Sequence, residues 1–378
     1  MADIVVVGGG VIGLSIACEL AGQGVAVRVV ERGAFGREAS WAGAGILPPG
    51  DPNLATTSAA RMGGHSCQLW PDWSQQLQDE TGIDNGFFRC GGVQVHLHQD
   101  DEQFRNAIQQ LRTDGVRVET PTWTELLDIE PELNPRLASG YLLPDLCQVR
   151  NPRHLKALVA ACNRRSVELS AHTPVVDVIR NGDRVDALKT PDGHITADQF
   201  CIAGGPWSRQ ILSHADCQID LKPVRGQMVL LETQPSLISR VIESGKRYIV
   251  PRPDGRVLVG SSEESVGFEK RTTASVVCGL MRFAMELVPE LGHSDYVRAW
   301  SGLRPVTPDE SPILEQVSGL NNLFLATGHF RGGLHLSPIT AVLMRQLMLR
   351  QELTMPLDEF GSGRQQPRAA TVTQNATG

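Results

Sequence analysis

Gly8, Gly10 and Gly13 stand in a G-x-G-x-x-G spacing, and a carboxylate, Glu31, follows about 20 residues on. The first glycine allows a sharp turn, the second lets a pyrophosphate approach the backbone, and the third lets a helix pack closely on a strand. Glu31 has the chemistry to accept hydrogen bonds from the two hydroxyls of an adenosine ribose and to repel a 2′-phosphate. Two later strands run into glycine in the same manner, at Gly204–Gly205 and at Gly328, the second through H-F-R-G-G-L.

These residues need elements to hold them. Ile4 to Val7 is a β-branched run without polar alternation, as expected of a parallel strand buried on both faces. From Val11 to Gly22 the apolar residues recur at helical spacing, so the free N–H groups and positive dipole end of that helix point at the phosphate. Val25, Val27 and Val29 return as the second strand, ending at Glu31. A glycine turn that binds nothing is the competing reading; strand, glycines, helix, strand and acid in register weigh against it. Arg32 to Gly50 is rich in Gly and Ala, either a surface loop or a backbone that lies against a flat ligand. A nicotinamide enzyme needs only the first motif, whereas the buried strand Leu323 to Ala326, its glycine turn and the helix Pro338 to Leu349 call for a second nucleotide half, so the pattern favours FAD.

Between these parallel segments the period changes. Val93, Val95 and Leu97 alternate with Gln94, His96 and His98, and Gln227 to Leu231, Tyr248 to Pro251 and Val257 to Gly260 read as further strands of antiparallel type. Helices are expected over Ser58 to Thr81, Glu102 to Gly115, Thr124 to Glu130, Pro152 to Ser166 and Ser275 to Leu287. His96 and His98 share a face, but two histidines without a third ligand point to solvent-facing side chains, and no metal site is expected. The fold class is therefore α/β: a Rossmann-like FAD-binding domain interleaved with an antiparallel-sheet α+β substrate domain. The expected division gives residues 1–85, 150–215 and 301–360 to the nucleotide domain and 86–149 and 216–300 to the substrate domain, with 361–378 as a polar, disordered tail.

The net charge of −7 gives no footprint for nucleic acid or an anionic membrane. Eight cysteines lie scattered without C-x-x-C or zinc-like spacing, which reads as reduced thiols in the cytoplasm. The apolar N-terminus carries Asp3 where a signal peptide has a basic segment, and no stretch reaches transmembrane length.

Together V-V-V-G-G-G-V-I-G, V-V-E-R, A-G-A-G-I-L, I-A-G-G-P-W-S, R-Y-I-V-P-R, W-S-G-L-R-P-V-T-P-D and A-T-G-H-F-R-G-G-L resemble the D-amino-acid-oxidase-like FAD-dependent oxidoreductases, and most of all their bacterial glycine oxidase branch, which serves thiamine biosynthesis. The resemblance covers nearly the whole chain except the tail, and it implies that the FAD-binding domain is of glutathione-reductase type. It implies that Val11, Ile12, Glu31, Arg32, Ala39, Ser40, Ala44, Gly45, Ile46 and Val175 line the adenosine and pyrophosphate arm or the ring of FAD, beside Gly8, Gly10, Gly13 and Gly204. It implies that His329, Phe330, Arg331, Gly332, Gly333, Leu334 and His335 wrap the isoalloxazine end. FAD is expected to be noncovalent, since no Cys lies near Gly328 to Ser337 and no His lies in Ala39 to Ile46.

By the same resemblance Arg304 pairs with a substrate carboxylate, Tyr248 hydrogen-bonds it, and Arg331 sits at the mouth near the amine. A planar guanidinium suits that task, because two parallel bonds fix the α-carbon over the flavin. On sequence alone Arg304 could instead pair with Asp309 or Glu310 at the surface, and Tyr248 could be ordinary strand packing. Lys246 and Arg247 next to Tyr248, and Glu263 after Gly260, raise the prospect of a substrate with a second anionic or polar group. The implied reaction is oxidation of glycine, or of sarcosine and small D-amino acids, to the 2-oxo acid, ammonia and H2O2, with O2 as second substrate, in a homo-oligomer, a tetramer by family. Two other readings use the same fold: a dehydrogenase handing electrons to another acceptor, and a flavin-binding subunit without turnover.

Overall fold

The computed structural model describes residues 2–96, 102–137, 139–233 and 235–365. The buried strand Ala2–Val7 is an inner strand of a six-stranded sheet ordered Ile313–Gln316, Leu323–Thr327, Ala197–Ile202, Ala2–Val7, Val27–Val30 and Glu168–Ser170. Its pairs are parallel except for Ile313–Gln316 at the edge. Both faces are covered, which is why the strands lack alternation. Ile4, Val6, Val29 and Phe324 pack with apolar residues of the helices Val11–Ala21, Asn151–Arg164 and Ser337–Met348. Val5, Val7, Phe200 and Leu325 pack on a three-stranded antiparallel sheet of Asp177–Asn181, Arg184–Thr190 and Gly193–Ile195, the last two strands joined at the Pro191–Gly193 turn.

The second large sheet has seven strands, ordered Asp295–Val306, Lys222–Glu232, Arg256–Gly260, Arg247–Pro251, Val241–Ser244, Gly92–His96 and Ser139–Leu143. Here the expected alternation is present: Val93, Val229, Leu231, Ile242, Ile249 and Val259 face the helix Ala274–Leu287, while Met228, Leu230, Val250, Leu258 and Tyr141 form the opposite face. The sheet is antiparallel except for one parallel contact, Val241–Ser244 on Gly92–His96, where two segments distant in sequence meet. The strand Asp295–Val306 continues in this sheet to Val306, so the 300/301 boundary expected from sequence falls inside it.

Residues 361–365 differ from the expected tail. Phe360 is buried, Ser362–Gln365 forms a short 3-10 turn, and Arg364 Nε donates to Asp309 Oδ2 at 2.7 Å while its Nη2 donates to the Ser311 and Pro312 carbonyls. One arginine that finds an acid and two carbonyls holds this segment down. Residues 366–378, read as the rest of that tail, lie outside the described residues, as do Leu97 and His98. His96 ends its strand with its ring 4.8 Å from that of Phe104. All eight cysteines are free thiols. Among the described residues no helix is long and apolar enough to cross a membrane.

Candidate active site

The two large sheets meet over a cavity of about 570 Å³. At one end the chain turns at Gly8, whose φ of +118° suits glycine and where a Cβ would lie 2.3 Å from the Ala203 carbonyl oxygen. Gly10 precedes the helix Val11–Ala21, whose first turn carries no acid and no side-chain cap at Gly10. That leaves its dipole end open to an anion. Val11 N–H donates to Ser40 Oγ at 2.9 Å, so a hydroxyl already stands where a phosphate oxygen would be recognised. Gly13 is not in the wall. A Cβ there would come within 1.9 Å of the Gly8 carbonyl oxygen, so its role is to let helix and strand touch. Glu31 is held by two backbone donors, Gly9 N–H at 2.7 Å on Oε2 and Gly33 N–H at 2.9 Å on Oε1, one acceptor fixed toward each neighbouring loop.

Val11, Ile12, Arg32, Ala39, Ser40, Ala44, Gly45, Ile46, Val175 and Gly204 continue the wall with Gly8, Gly10 and Glu31. Gly45 has φ +78°, and a Cβ there would strike the Val149 carbonyl oxygen at 2.0 Å. Arg252 supports the same loop from behind: its guanidinium, pushed down by burial to about 10, donates to the Ala44 carbonyl at 2.6 Å and to Gln148 and Val149. Nothing in its spacing marked Arg252 in the sequence beyond its place at the end of R-Y-I-V-P-R. The loop His329 to His335 closes the other side, entered through Gly328 at φ +79° and Phe330 at φ +46°. His329 Nε2 meets Thr340 Oγ1 at 3.0 Å, and Trp70 Nε1 donates to the His335 carbonyl at 2.8 Å. Burial pushes both imidazoles far down, His329 to about 3 and His335 to about 4, so both are neutral near pH 7.

The seven-stranded sheet borders the third side, where Glu243, Tyr248 and Arg304 line the cavity, the first two within a single cross-strand row. Trp300, Met228, Gly260, Tyr248, Glu243, Gln94 and Tyr141 are successive partners across all seven strands. Gly260 lets its neighbours meet: a Cβ would come 2.3 Å from Met228 Sδ and 2.8 Å from the Tyr248 ring, and the Tyr248 hydroxyl instead reaches Met228 Sδ at 3.4 Å. Arg304, four residues beyond Trp300 and therefore on the same face, donates to Ser261 Oγ at 2.6 Å and the Ser262 carbonyl at 3.1 Å. It has no carboxylate partner among the described residues. Asp309, its rival on sequence grounds, is taken by Arg364.

The charged residues at the mouth sort differently from expectation. Glu263 accepts from Arg331 Nε at 2.8 Å and from Lys246 Nζ at 2.7 Å. Burial would raise its carboxyl, but the hydrogen bonds and charges of Lys246 and Arg331 hold it below the usual range. Lys246 and Arg247 are not in the wall, and the Arg247 guanidinium lies 5.7 Å over the Phe283 ring.

Glu243 is in the wall and was not singled out in the sequence. Its signal was present in V-I-E-S-G-K-R-Y, where the two-residue turn Gly245–Lys246 pairs Ser244 with Arg247 and hence Glu243 with Tyr248. Finding it required the strand Val241–Ser244, which sequence reading left out.

FAD fits this cavity on the structure's own terms. The glycine cradle, the acid-free helix N-terminus and the fixed Glu31 suit its adenosine diphosphate arm. Two buried wall atoms, Asn151 Oδ1 and His335 Nδ1, have no hydrogen-bond partner and await one.

A parallel nucleotide-binding sheet and an antiparallel sheet sharing a cavity, together with the family match over most of the chain, make this a flavin-dependent oxidoreductase. The chain belongs to the FAD dependent oxidoreductase family DAO, which it matches over residues 3–347. Its cofactor is FAD. It is 36% identical over 350 residues to a glycine oxidase of Pseudomonas aeruginosa, covering 92% of this chain and 95% of that one. It is 34% identical over 377 residues to a bifunctional protein ThiO/ThiG of Nostoc sp., covering 98% of this chain and 56% of the relative. The crystal structure of glycine oxidase from Geobacillus kaustophilus superposes with a TM-score of 0.90 at 31% identity, covering 95% of this chain and 98% of that one.

Proposed function

We propose that this chain oxidises a small amino acid, glycine first and sarcosine or small D-amino acids next, to the 2-oxo acid, ammonia (methylamine in the case of sarcosine) and hydrogen peroxide. One observation carries the reading: Arg304 presents a guanidinium to the cavity with only neutral partners, the Ser261 hydroxyl and the Ser262 carbonyl, beside Tyr248. A cation so placed is matched by an incoming carboxylate, bound through two parallel donors. Tyr248 adds a phenolic donor and fixes the remaining rotation, which holds the α-carbon in one place. Bound FAD supplies the chemistry of accepting the α-hydrogen as hydride and passing the electrons to O2. The neutral His329 and His335 add no charge that would compete for the carboxylate. Noncovalent FAD, a cytoplasmic homo-oligomer and a supply role in thiamine thiazole synthesis belong to the same reading, and the glycine oxidase and ThiO/ThiG relatives support it.

The test is Arg304→Ala, assayed by anaerobic bleaching of the flavin absorbance with glycine. Bleaching at fixed glycine should fall by about 100-fold or more while FAD content stays at the wild-type level. Undiminished bleaching would sink the proposal. Peroxide formed per glycine consumed in air separates O2 from another acceptor: a yield near one supports the oxidase, and a yield near zero with rapid dye reduction under nitrogen favours a dehydrogenase.

A further inference from the structure

Glu243 is a carboxylic acid in a wall that the carboxylate-binding residues do not explain. It stands directly opposite Tyr248 across one hydrogen-bonded strand pair and opposite Gln94 across the next. Gln94 Nε2 donates to Glu243 Oε2 at 2.6 Å, while Oε1 has no partner among the described residues. Side chains paired in this way across strands stand about 5 Å apart at their Cβ atoms, a spacing suited to binding the two ends of an α-amino acid.

We propose that Glu243 binds the ammonium group of the substrate and takes its proton. This rests on the amino-acid reading above. In the step one N–H bond breaks and one O–H bond forms at Glu243 Oε1; the nitrogen keeps the electron pair, so the amine becomes neutral and nothing is yet oxidised. That neutral amine is what an α-carbon needs before its hydrogen can leave with both electrons.

The surroundings fit a group that changes charge in use. Burial pushes the Glu243 carboxyl up to about 7, against the pull of Arg331 and the Gln94 hydrogen bond. Tyr141, beyond Gln94 in the row, is itself pushed up to about 12 by burial and by Glu243 and stays a neutral phenol. From the loop 329–335 the facing charge is Arg331, already paired with Glu263, which also holds Lys246. Tyr248 faces it from the strand Arg247–Pro251, and His96 lies two residues along from Gln94 on that strand's same face, against Phe104. No cation among the described residues forms an ion pair with Glu243, so the substrate ammonium has no competitor for Oε1.

The experiment compares holoenzyme of wild type, Glu243→Gln and Glu243→Asp. Each is assayed anaerobically for flavin bleaching by glycine between about pH 5.5 and 9 and titrated with acetate, a carboxylate without an amine. In wild type the bleaching rate constant divided by apparent glycine affinity should rise through a limb near pH 7 as the carboxyl ionises. In Glu243→Gln that quantity should fall about 100-fold and lose the limb, with acetate binding within about twofold of wild type. Glu243→Asp should keep the limb with an intermediate rate, and it carries the test if the Gln variant fails to fold. A limb retained in Glu243→Gln, a limb absent from Glu243→Asp, or equal losses of glycine and acetate binding would overturn the assignment. If wild type bleaches with glycine in any of those cases, the amino-acid reading stands alone. Failure of wild type to bleach with any amino acid overturns both.

Discussion

The guanidinium of Arg304 lies over the backbone of Gly226, so closely that a Cβ at 226 would stand 2.3 Å from Nη1 and 2.4 Å from Nη2. The strands Lys222–Glu232 and Asp295–Val306 pair Gly226 with Gly302 and Val224 with Arg304, so the missing side chain is the space the arginine occupies. Gly226→Ala should displace the guanidinium by an ångström or so. Glycine KM and the acetate dissociation constant should both rise about 10- to 100-fold at unchanged FAD content. Equal affinities in variant and wild type would show that Arg304 does not hold the carboxylate from this position.

Gly13 tests the opposite end. Gly13→Ala puts a Cβ 1.9 Å from the Gly8 carbonyl oxygen, which forces the helix Val11–Ala21 off the strand that carries the phosphate turn. An overpacking penalty of about 1–3 kcal/mol concentrated there should weaken FAD retention at least about tenfold. FAD bound per chain after gel filtration, with circular dichroism to confirm folding, measures it; full occupancy would place the helix contact outside cofactor binding.

Glu263 neutralises two cations at the mouth, and removing it should change which substrates enter. Glu263→Gln leaves Arg331 and Lys246 without their anion, so the field at the mouth becomes more positive. Turnover of D-aspartate relative to glycine should rise at least about tenfold at low ionic strength and less in high salt, since Arg331 and Lys246 are partly exposed. A ratio that does not move would mean that the mouth charges play no part in selection.

Glu243 also makes stability depend on pH in a definite direction. In the folded chain its carboxyl keeps a proton up to about pH 7, whereas the unfolded chain releases it near the ordinary value for glutamate. Between those values the folded state binds more protons, so stability falls as pH rises and the full cost is present above about pH 7. Glu243→Gln should therefore melt a few degrees above wild type at pH 8, a gain on the order of 1–3 kcal/mol, and within a degree of it at pH 4. A melting difference that is constant from pH 4 to 8 would contradict this.

The nucleotide end of the cavity was legible because its constraints are local. Gly8, Gly10, Gly13 and Glu31 sit within one strand, helix and strand, and each does its work through neighbours in the chain. Arg304 and Tyr248 were reached by resemblance, since the 55 residues between them carry no local pattern that joins them. Glu243 and the parallel contact of Val241–Ser244 with Gly92–His96 escaped because they depend on pairing between segments about 150 residues apart. Arg364 escaped for a related reason: its partners Asp309, Ser311 and Pro312 lie about 50 residues upstream, and one side chain turned polar sequence into fixed structure.

The seven-residue row has a consequence for how such an enzyme changes over generations. Because side chains alternate along a strand, Met228, Tyr248, Glu243 and Gln94 face the cavity side while Val229, Ile249, Ile242 and Val93, one step away, face the helix Ala274–Leu287. Substitutions on the first set can reshape what the chamber accepts without opening voids in the second. The two inheritances, selectivity and durability, are written in adjacent letters of the same strands and can drift apart independently.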